Sequence, residues 1–176
     1  MVWVLIVLLW LERNQVSPLH PICDLRVLDH FVREARDSEV IMRGCRGGCG
    51  VMQSYLVPLT RVDFAVWEHI DVQEQAAEVQ SGLFLLIQAL NTAKKAVSNV
   101  PLSITLENNI SNIHSLNQIL QSLHLQQTLP EDSAQGDSWT QRVSTLPDVL
   151  QVQSSFLRGK VRLLLSVAPT CQRPNS

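Results

Sequence analysis

Apolar residues recur three and four positions apart along four segments of this chain, which is the spacing of amphipathic helices. The spacing predicts helices over residues 25–42, about 70–98, about 104–125 and from near Pro147 to just before Pro169. The predicted apolar stripes are Leu25, Leu28, Val32, Ala35 and Met42; Val72, Ala76, Val79, Leu83, Leu86, Leu90, Ala93 and Val97; Leu106, Ile110, Ile113, Leu116, Leu120 and Leu123; and Val149, Val152, Phe156, Leu163 and Val167, flanked by Leu157 and Leu164. No alternating strand pattern of useful length occurs, and residues 51–66 could hold at most a short extended piece.

The connections between these helices favour one topology. The first and third connections have about 27 and about 20 residues, whereas the second has only about six. Short connections favour antiparallel neighbours, and long ones permit overhand crossovers. The chain is therefore predicted to be an all-α, up-up-down-down four-helix bundle with two long crossover loops. Asp24 is a suitable N-cap for the first helix, and Gly44 marks its end.

The N-terminus begins with an apolar run over residues 2–10. This run is too short to span a bilayer and is typical of a secretory signal. No basic residue precedes it and no A-x-A-like cleavage site follows, so a buried strand or helix is the alternative. We predict a signal peptide over residues 1–17 and a secreted, extracellular domain over residues 18–176, with no membrane insertion.

Four cysteines, Cys23, Cys45, Cys49 and Cys171, follow this run. An even number in an exported chain implies disulfides, and four cysteines allow three connectivities. The glycine-rich segment between Cys45 and Cys49 permits a tight turn, which favours the pairs Cys45–Cys49 and Cys23–Cys171. A zinc site is the alternative, but it would want a second close ligand pair. In the chain-entropy model the long bridge contributes about 5 kcal/mol and the short one about 2 kcal/mol.

The chain shows no arrangement typical of catalysis. Its five histidines share no metal-ligand spacing, and it has no nucleophile elbow, phosphate-binding glycine loop or HExxH motif. The net charge of −2 gives no sign of nucleic-acid binding. We therefore predict a protein that is not an enzyme and that holds no cofactor or metal. Asn109 begins an N-x-[ST] triplet and is a candidate glycosylation site.

A few residues break the helical patterns. Val27 lies off the first stripe, Phe31 lies at its edge, and Ile119 projects away from the third stripe. Apolar residues off a buried stripe acquire meaning when they lie on neighbouring helices. These three residues are therefore candidates for a binding surface.

The last predicted helix departs from its pattern more sharply. Gln151, Ser155, Arg158 and Arg162 form a polar, partly basic stripe, with Gly159 at its margin. Glycine inside a helix costs about 1 kcal/mol relative to alanine, and close approach of a partner or of a neighbouring loop would explain it. Lys160 falls on the apolar side. We interpret it first as a snorkelling or locally paired lysine, and only second as a contact residue.

These features together resemble a known family. The carrying residues are the segments CDLRVL (23–28), VDF with Trp67 (62–67), the helix over residues 72–86, FLRGKV (156–161) and the close pair Cys45 and Cys49. They resemble the erythropoietin/thrombopoietin family of long-chain four-helix cytokines over residues 21–171. The close cysteine pair and the lack of a long Ser/Thr/Pro-rich extension favour the erythropoietin branch, with the thrombopoietin branch as the alternative.

The resemblance implies a hormone that dimerises a single-pass receptor and activates Janus kinases, which promotes survival and proliferation of red-cell precursors. One hormone molecule, a monomer when free, would bind two receptor copies, with no nucleic-acid partner. Its tighter face would comprise Arg36, Thr60, Arg61, Phe64, Ser155, Arg158, Gly159 and Lys160. Its weaker face would comprise Val27, His30, Phe31, Ser111, His114, Ser115, Leu116 and Ile119.

The chain departs from the family pattern at three of these positions. His30 and His114 stand where the family has basic contacts, and Ser155 stands where it has asparagine. The weaker face is therefore predicted to be less cationic and more dependent on pH. Leu116 lies on the apolar stripe and is expected to support the face without touching a receptor. A non-signalling helical carrier of small apolar ligands is the second alternative, and it would need an internal pocket.

Overall fold

Four long helices lie where the apolar spacing predicts them. The structure is a computed structural model that describes residues 23–122 and 139–168. Its elements in chain order are α1 (Leu25–Arg43), β1 (Tyr55–Pro58), α2 (Phe64–Trp67), α3 (Val72–Ala96), α4 (Val100–Ser122), β2 (Thr140–Val143), α5 (Leu146–Phe156), a π-helical segment (Leu157–Val161) and α6 (Arg162–Val167). The last three elements run without interruption and are called the last helix below. The predicted signal peptide, Leu123 and Cys171 lie outside the described residues.

Polar caps explain where the helices begin. The side chain of Asp24 accepts a hydrogen bond from the backbone amide of Arg26, at 3.0 Å, which confirms it as the N-cap of α1. Helix α4 begins earlier than predicted, because the Asn99 side chain accepts a hydrogen bond from the amide of Leu102. Pro101 fits the first turn of that helix, where its missing N–H would have had no intrahelical partner.

The helices bury their predicted stripes in one core. Helix α1 packs against α4 and the last helix, and α3 packs against the same two helices. On α3 the stripe from Ala76 to Val97 is buried throughout. At the start of α1, however, Leu25 is 36% exposed, so the predicted stripe there begins at Leu28.

The π-helical segment displaces the apolar stripe of the last helix. We expected the stripe to continue from Phe156 to Leu163 and Val167, but Leu163 is half-buried and Val167 is 39% exposed. Leu164 and Ala168 are buried instead. A π-helical turn holds more residues than an α-helical turn, because its hydrogen bonds run from i to i+5. Residues beyond the segment are therefore rotated relative to an unbroken α-helical pattern.

Gly82 permits the close packing of α3 against the last helix. A Cβ atom at this position would lie 2.9 Å from Cε1 and from Cε2 of Phe156. The Phe156 side chain is fully buried. Any larger residue at position 82 would force the ring or the helices to move, which is costly in a densely packed core.

Two short strands connect the long loops. β1 and β2 pair antiparallel, with Tyr55 opposite Val143 and Pro58 opposite Thr140. β1 falls within the stretch that was expected to hold at most a short extended piece, whereas β2 was not predicted. Its four residues carry no alternation of apolar and polar side chains, so it depends on its partner strand rather than on its own pattern.

The disulfide Cys45–Cys49 confirms the predicted short bridge. Gly48, between these cysteines, has a φ of 67°, and a Cβ atom there would lie 2.8 Å from the amide nitrogen of Asn99. Both the backbone conformation and the close approach favour glycine. The predicted Cys23–Cys171 bridge stays a prediction, because Cys171 lies outside the described residues.

Candidate functional site

The first candidate surface joins the loop after β1 to the last helix. Arg61 is exposed, and Phe64 at the start of α2 is 58% exposed. The side chain of Asp63 accepts a hydrogen bond from the amide of Ala65, at 3.1 Å, and so caps this short helix. Because α2 is anchored by its buried Trp67, the Phe64 ring is presented outward from a fixed turn.

The last helix lies directly beside this loop. A Cβ atom on Gly159 would lie 3.8 Å from the carbonyl oxygen of Thr60 and 3.9 Å from Cγ2 of Val62. These are ordinary van der Waals distances, so packing of the loop does not itself require glycine here. Arg158 is exposed next to Gly159, and Ser155, one turn earlier, is half-buried. The structure thus brings the two halves of the predicted tighter face together at Thr60 and Gly159.

Lys160 does not lie on that surface. Its residue is only 4% exposed, and its ammonium donates hydrogen bonds to Oε1 of Glu78, at 2.5 Å, and to the carbonyl oxygen of Leu59, at 2.9 Å. This placement agrees with its first interpretation as a locally paired lysine and corrects its assignment as a surface contact.

Arg36 is exposed on α1, which packs against the π-helical segment.

The second candidate surface lies on α1 and α4. His30, Ser111 and His114 are exposed, and Val27 and Ser115 are half-buried. The two helices are joined by a hydrogen bond from the Asn112 side chain to the Glu34 carboxylate. Glu34 also lies 3.5 Å from Nε2 of His30, so one carboxylate serves both helices.

Three residues of this weaker face lie within the core or against it. Leu116 is fully buried, as its place on the apolar stripe predicted, and cannot touch a receptor in this structure. Phe31 and Ile119 are half-buried and pack against the core, so the expectation that Ile119 projects away from it is wrong. Helices α1 and α4 pack against each other, and these two residues at the edges of their stripes are half-buried.

Asn109 belongs to a buried polar cluster, which corrects its assignment as a glycosylation site. It is 1% exposed, and its amide nitrogen donates to Oγ of Ser38, at 2.8 Å, and to the carbonyl oxygen of Thr105. Its amide oxygen accepts from Nε2 of Gln153, at 3.1 Å. A glycan on this nitrogen could not be accommodated between α1, α4 and the last helix.

Charge interactions are mostly confined to the surface. Hydrogen bonds from Arg26 hold the pKa of the exposed Asp24 carboxyl below its usual value. The pKa of Arg43 is raised by its hydrogen bond to Glu39. Among the described residues, no group of three or more His, Cys, Asp and Glu side chains could hold a metal ion.

Sequence reasoning missed Glu78 as part of the site. The available signal was a pair of misplaced opposite charges: Lys160 on the apolar side of the last helix, and a carboxylate next to the buried Val79 of α3. A charge on an apolar face is most cheaply accommodated by an opposite charge on the facing element.

An open groove of about 420 Å³ lies at one end of the bundle, between the end of α1, the disulfide loop and the start of α5. Met42, Met52 and Pro147 are among its lining residues. It opens to solvent and lies beside the disulfide loop, so it does not match the internal pocket expected of a carrier.

In the described ranges, none of the helices is long and apolar enough to cross a membrane.

Comparison with known proteins decides the family. The profile of the family described as Erythropoietin/thrombopoietin matches residues 20–174. The chain belongs to the erythropoietin/thrombopoietin family. It is 51% identical to the erythropoietin of Epinephelus coioides over 173 residues, which cover 98% of this chain and 94% of that protein. It is 46% identical to the erythropoietin of Danio rerio over 96% of this chain and 92% of that one.

The similarity extends to mammals. The chain is 34% identical to the erythropoietin of Canis lupus familiaris, over 89% of this chain and 79% of the relative. The protein is thus an erythropoietin-like cytokine hormone. The family is one of hormones rather than enzymes, which is consistent with the prediction of no catalytic activity.

Proposed function

We propose that the protein is a secreted hormone that binds two copies of a single-pass cytokine receptor and thereby activates the Janus kinases bound to the receptor tails. The result is survival and proliferation of red-cell precursors. The proposal includes an up-up-down-down path of the chain and cleavage of the N-terminal signal. It rests on membership of the erythropoietin/thrombopoietin family and on the junction described next.

The junction of Thr60 with Gly159 carries the proposal. At this junction the loop lies beside the last helix. Each of these two elements carries an exposed arginine, Arg61 on the loop and Arg158 on the last helix. The exposed ring of Phe64 follows Arg61 closely in the sequence. Arginines and buried aromatic anchors dominate the energetics of protein interfaces. We assign the tighter receptor contact to this surface, with Phe64 as an apolar anchor and the arginines as orienting charges.

The weaker contact is assigned to α1 and α4, with Val27, His30 and His114 as accessible members. Phe31 and Ile119 contribute part of their surface, while Leu116 supports them from beneath. Two receptor copies on two different surfaces bring two receptor tails together, and this proximity is what activation requires. The assignment leaves Lys160 out of the direct contacts.

A titration with soluble receptor ectodomain tests the proposal. Sedimentation velocity should show two ectodomains bound to each hormone molecule at receptor excess, with the first bound more tightly than the second. A limit of one ectodomain would contradict dimerisation. No binding to an erythropoietin-type receptor, together with binding to a thrombopoietin-type receptor, would assign the chain to the other branch of the family.

A further inference from the structure

One ion pair of this molecule is buried beside the tighter face. The side chains of Lys160 and Glu78 are only 6% and 11% exposed, and their charged atoms are 2.5 Å apart. The ammonium of Lys160 also donates a hydrogen bond to the carbonyl oxygen of Leu59, at 2.9 Å. A buried charge is tolerated when it is paired and hydrogen-bonded, and both conditions are met here.

Lys160 binds the carbonyl oxygen of Leu59, a residue whose backbone amide is also hydrogen-bonded. The amide of Leu59 donates to the carbonyl oxygen of Trp139, at 2.7 Å, which extends the pairing of β1 with β2. Lys160 holds the carbonyl of the same residue. Thr60 and Arg61 follow immediately, so these two bonds fix the direction in which the loop leaves β1.

The last helix, which carries Lys160, is also held in place at this junction. Lys160 lies in the π-helical segment, whose other residues include Arg158 and Gly159. π-helical insertions occur frequently at functional sites. In this one, Lys160 is buried and Arg158 is exposed two residues away. Anchoring Lys160 to α3 through Glu78 therefore also fixes where the exposed arginine lies relative to the loop.

We infer that Glu78 and Lys160 are positioning residues for the tighter face, and that they act by holding the loop from Thr60 to Phe64 and the last helix in one arrangement. Neither side chain touches the receptor. This inference rests on the proposed function of that surface. It assigns to Glu78, on a helix that contributes no contact residue, a role in receptor binding.

The decisive experiment separates positioning from stability. In the variant Lys160→Met, Glu78 is left buried without a partner, and the fold should lose stability. In the double variant Glu78→Leu/Lys160→Met both charges are gone, and stability should recover, because replacing a whole buried ion pair by apolar residues is often neutral or better. The carbonyl of Leu59 remains unheld in both variants.

In the double variant we expect the melting temperature to recover, but the first receptor ectodomain should still bind at least about tenfold more weakly than it binds the parent protein. An effect of this size lies within the usual range of coupling between contacting residues. If Lys160 and Glu78 served stability alone, recovered stability would restore binding, and that result would overturn the inference. Lys94→Met is the matched control, because Lys94 forms an exposed pair with Glu107 and should change neither quantity.

Two further measurements protect the conclusion. Glu78→Gln keeps the volume and one acceptor, so it should fold, and hydrogen exchange at the amide of Leu59, which donates to the carbonyl oxygen of Trp139, should accelerate in it. Unchanged exchange with unchanged receptor affinity would contradict the inference even if the double variant failed to fold. Arg61→Ala combined with Lys160→Met should weaken binding by less than the product of the two single effects, since Lys160 acts through the loop.

Failure of the proposed function looks different. If Arg61→Ala and Arg158→Ala both leave the first receptor copy bound with normal affinity, the tighter face is wrongly assigned, and the inference falls with it. If these two variants weaken binding while the stable double variant binds normally, the face is correct and only the role of Glu78 and Lys160 is wrong.

Discussion

The two candidate receptor surfaces are built in different ways. The weaker face lies on two long helices, α1 and α4, whose surface residues follow from helical periodicity and whose contact is reinforced between Glu34 and Asn112. The tighter face combines a loop, the short α2 and a π-helical segment, held by a hydrogen bond between Leu59 and Lys160 that are 101 residues apart. The first surface inherits its rigidity from helices, whereas the second depends on a few long-range polar contacts.

This difference has consequences for how each surface responds to mutation. A substitution on the weaker face should act locally, because each helix keeps its own hydrogen-bonded backbone. A substitution beneath the tighter face can change binding without touching the receptor, because it releases the loop. The following predictions test the contrast, from the largest expected effect to the smallest.

Val27→Glu should abolish binding of the second receptor copy. Val27 is half-buried near the start of α1, and a carboxylate desolvated there without a partner would cost several kcal/mol of binding free energy. Sedimentation at receptor excess should show a one-to-one complex, and the variant should act as an antagonist in a cell-growth assay. Val40→Glu is the control on the same helix, since Val40 is 71% exposed and outside both faces. A two-to-one complex of Val27→Glu would place the second contact elsewhere.

Arg158→Ala should weaken binding of the first receptor copy by about 2 kcal/mol or more, within the range of interface hot spots. The side chain is exposed beside Gly159, so the fold should be retained. Surface plasmon resonance with immobilised ectodomain gives the affinity, and circular dichroism checks the fold. Arg46→Ala, in the exposed disulfide loop, should bind normally. Equal affinities of the two variants would remove Arg158 from the tighter face.

Asn109→Ala should lower the free energy of unfolding by about 1–3 kcal/mol, because it removes the donor to Oγ of the buried Ser38 and leaves Nε2 of the buried Gln153 without its acceptor. Asn108→Ala is a matched control at an exposed position one residue away. Urea unfolding followed by circular dichroism measures both. Since the cluster joins α1, α4 and the last helix beneath the surface, the stoichiometry of receptor binding should be unchanged. Equal stabilities would mean that the cluster contributes little.

Asp24→Asn should have the smallest effect, and one that depends on pH. Because Arg26 lowers the pKa of the folded carboxyl, its charge stabilises α1 above the unfolded pKa, and this contribution is lost as the pH falls through the folded value. Asparagine is an equally good N-cap, so it keeps the cap and removes only the charge. The variant should therefore melt slightly lower than the parent at neutral pH, and the two should converge in strong acid. A difference that persists there would show that the cap geometry, and not the charge, is responsible.

The helices could be predicted because their apolar spacing is a local property of the chain. The stripe of α3, the N-cap at Asp24 and the start of the last helix near Pro147 were all found where the sequence indicated. The same reasoning placed Val27 off the buried stripe of α1, where it is half-buried, whereas His30 and His114, which are exposed, were indicated by the resemblance to the family. It was wrong for Ile119, because the wheel describes a single helix and cannot show how the rest of the core packs against the edge of its stripe.

The parts that could not be predicted depend on contacts between distant segments. The π-helical segment rotates the apolar stripe after Phe156, and no residue pattern within the segment predicts a π-helical turn. β2 forms against β1 although its own side chains do not alternate. Asn109 carries a glycosylation triplet, yet it is buried because α1 and the last helix both supply partners for its amide.

By itself, then, the sequence determined four amphipathic helices, the start of α1 and the short disulfide, because periodicity, capping and a glycine-rich turn act over a few neighbouring residues. The resemblance to the family could also be recognised from residues of these helices and from the close cysteine pair. Only the tertiary structure decided that Lys160 pairs with Glu78 and that Thr60 meets Gly159, because these contacts join segments that are far apart in the chain. Local interactions choose the elements, but the free energy of burying a charge depends on what the rest of the chain brings to meet it.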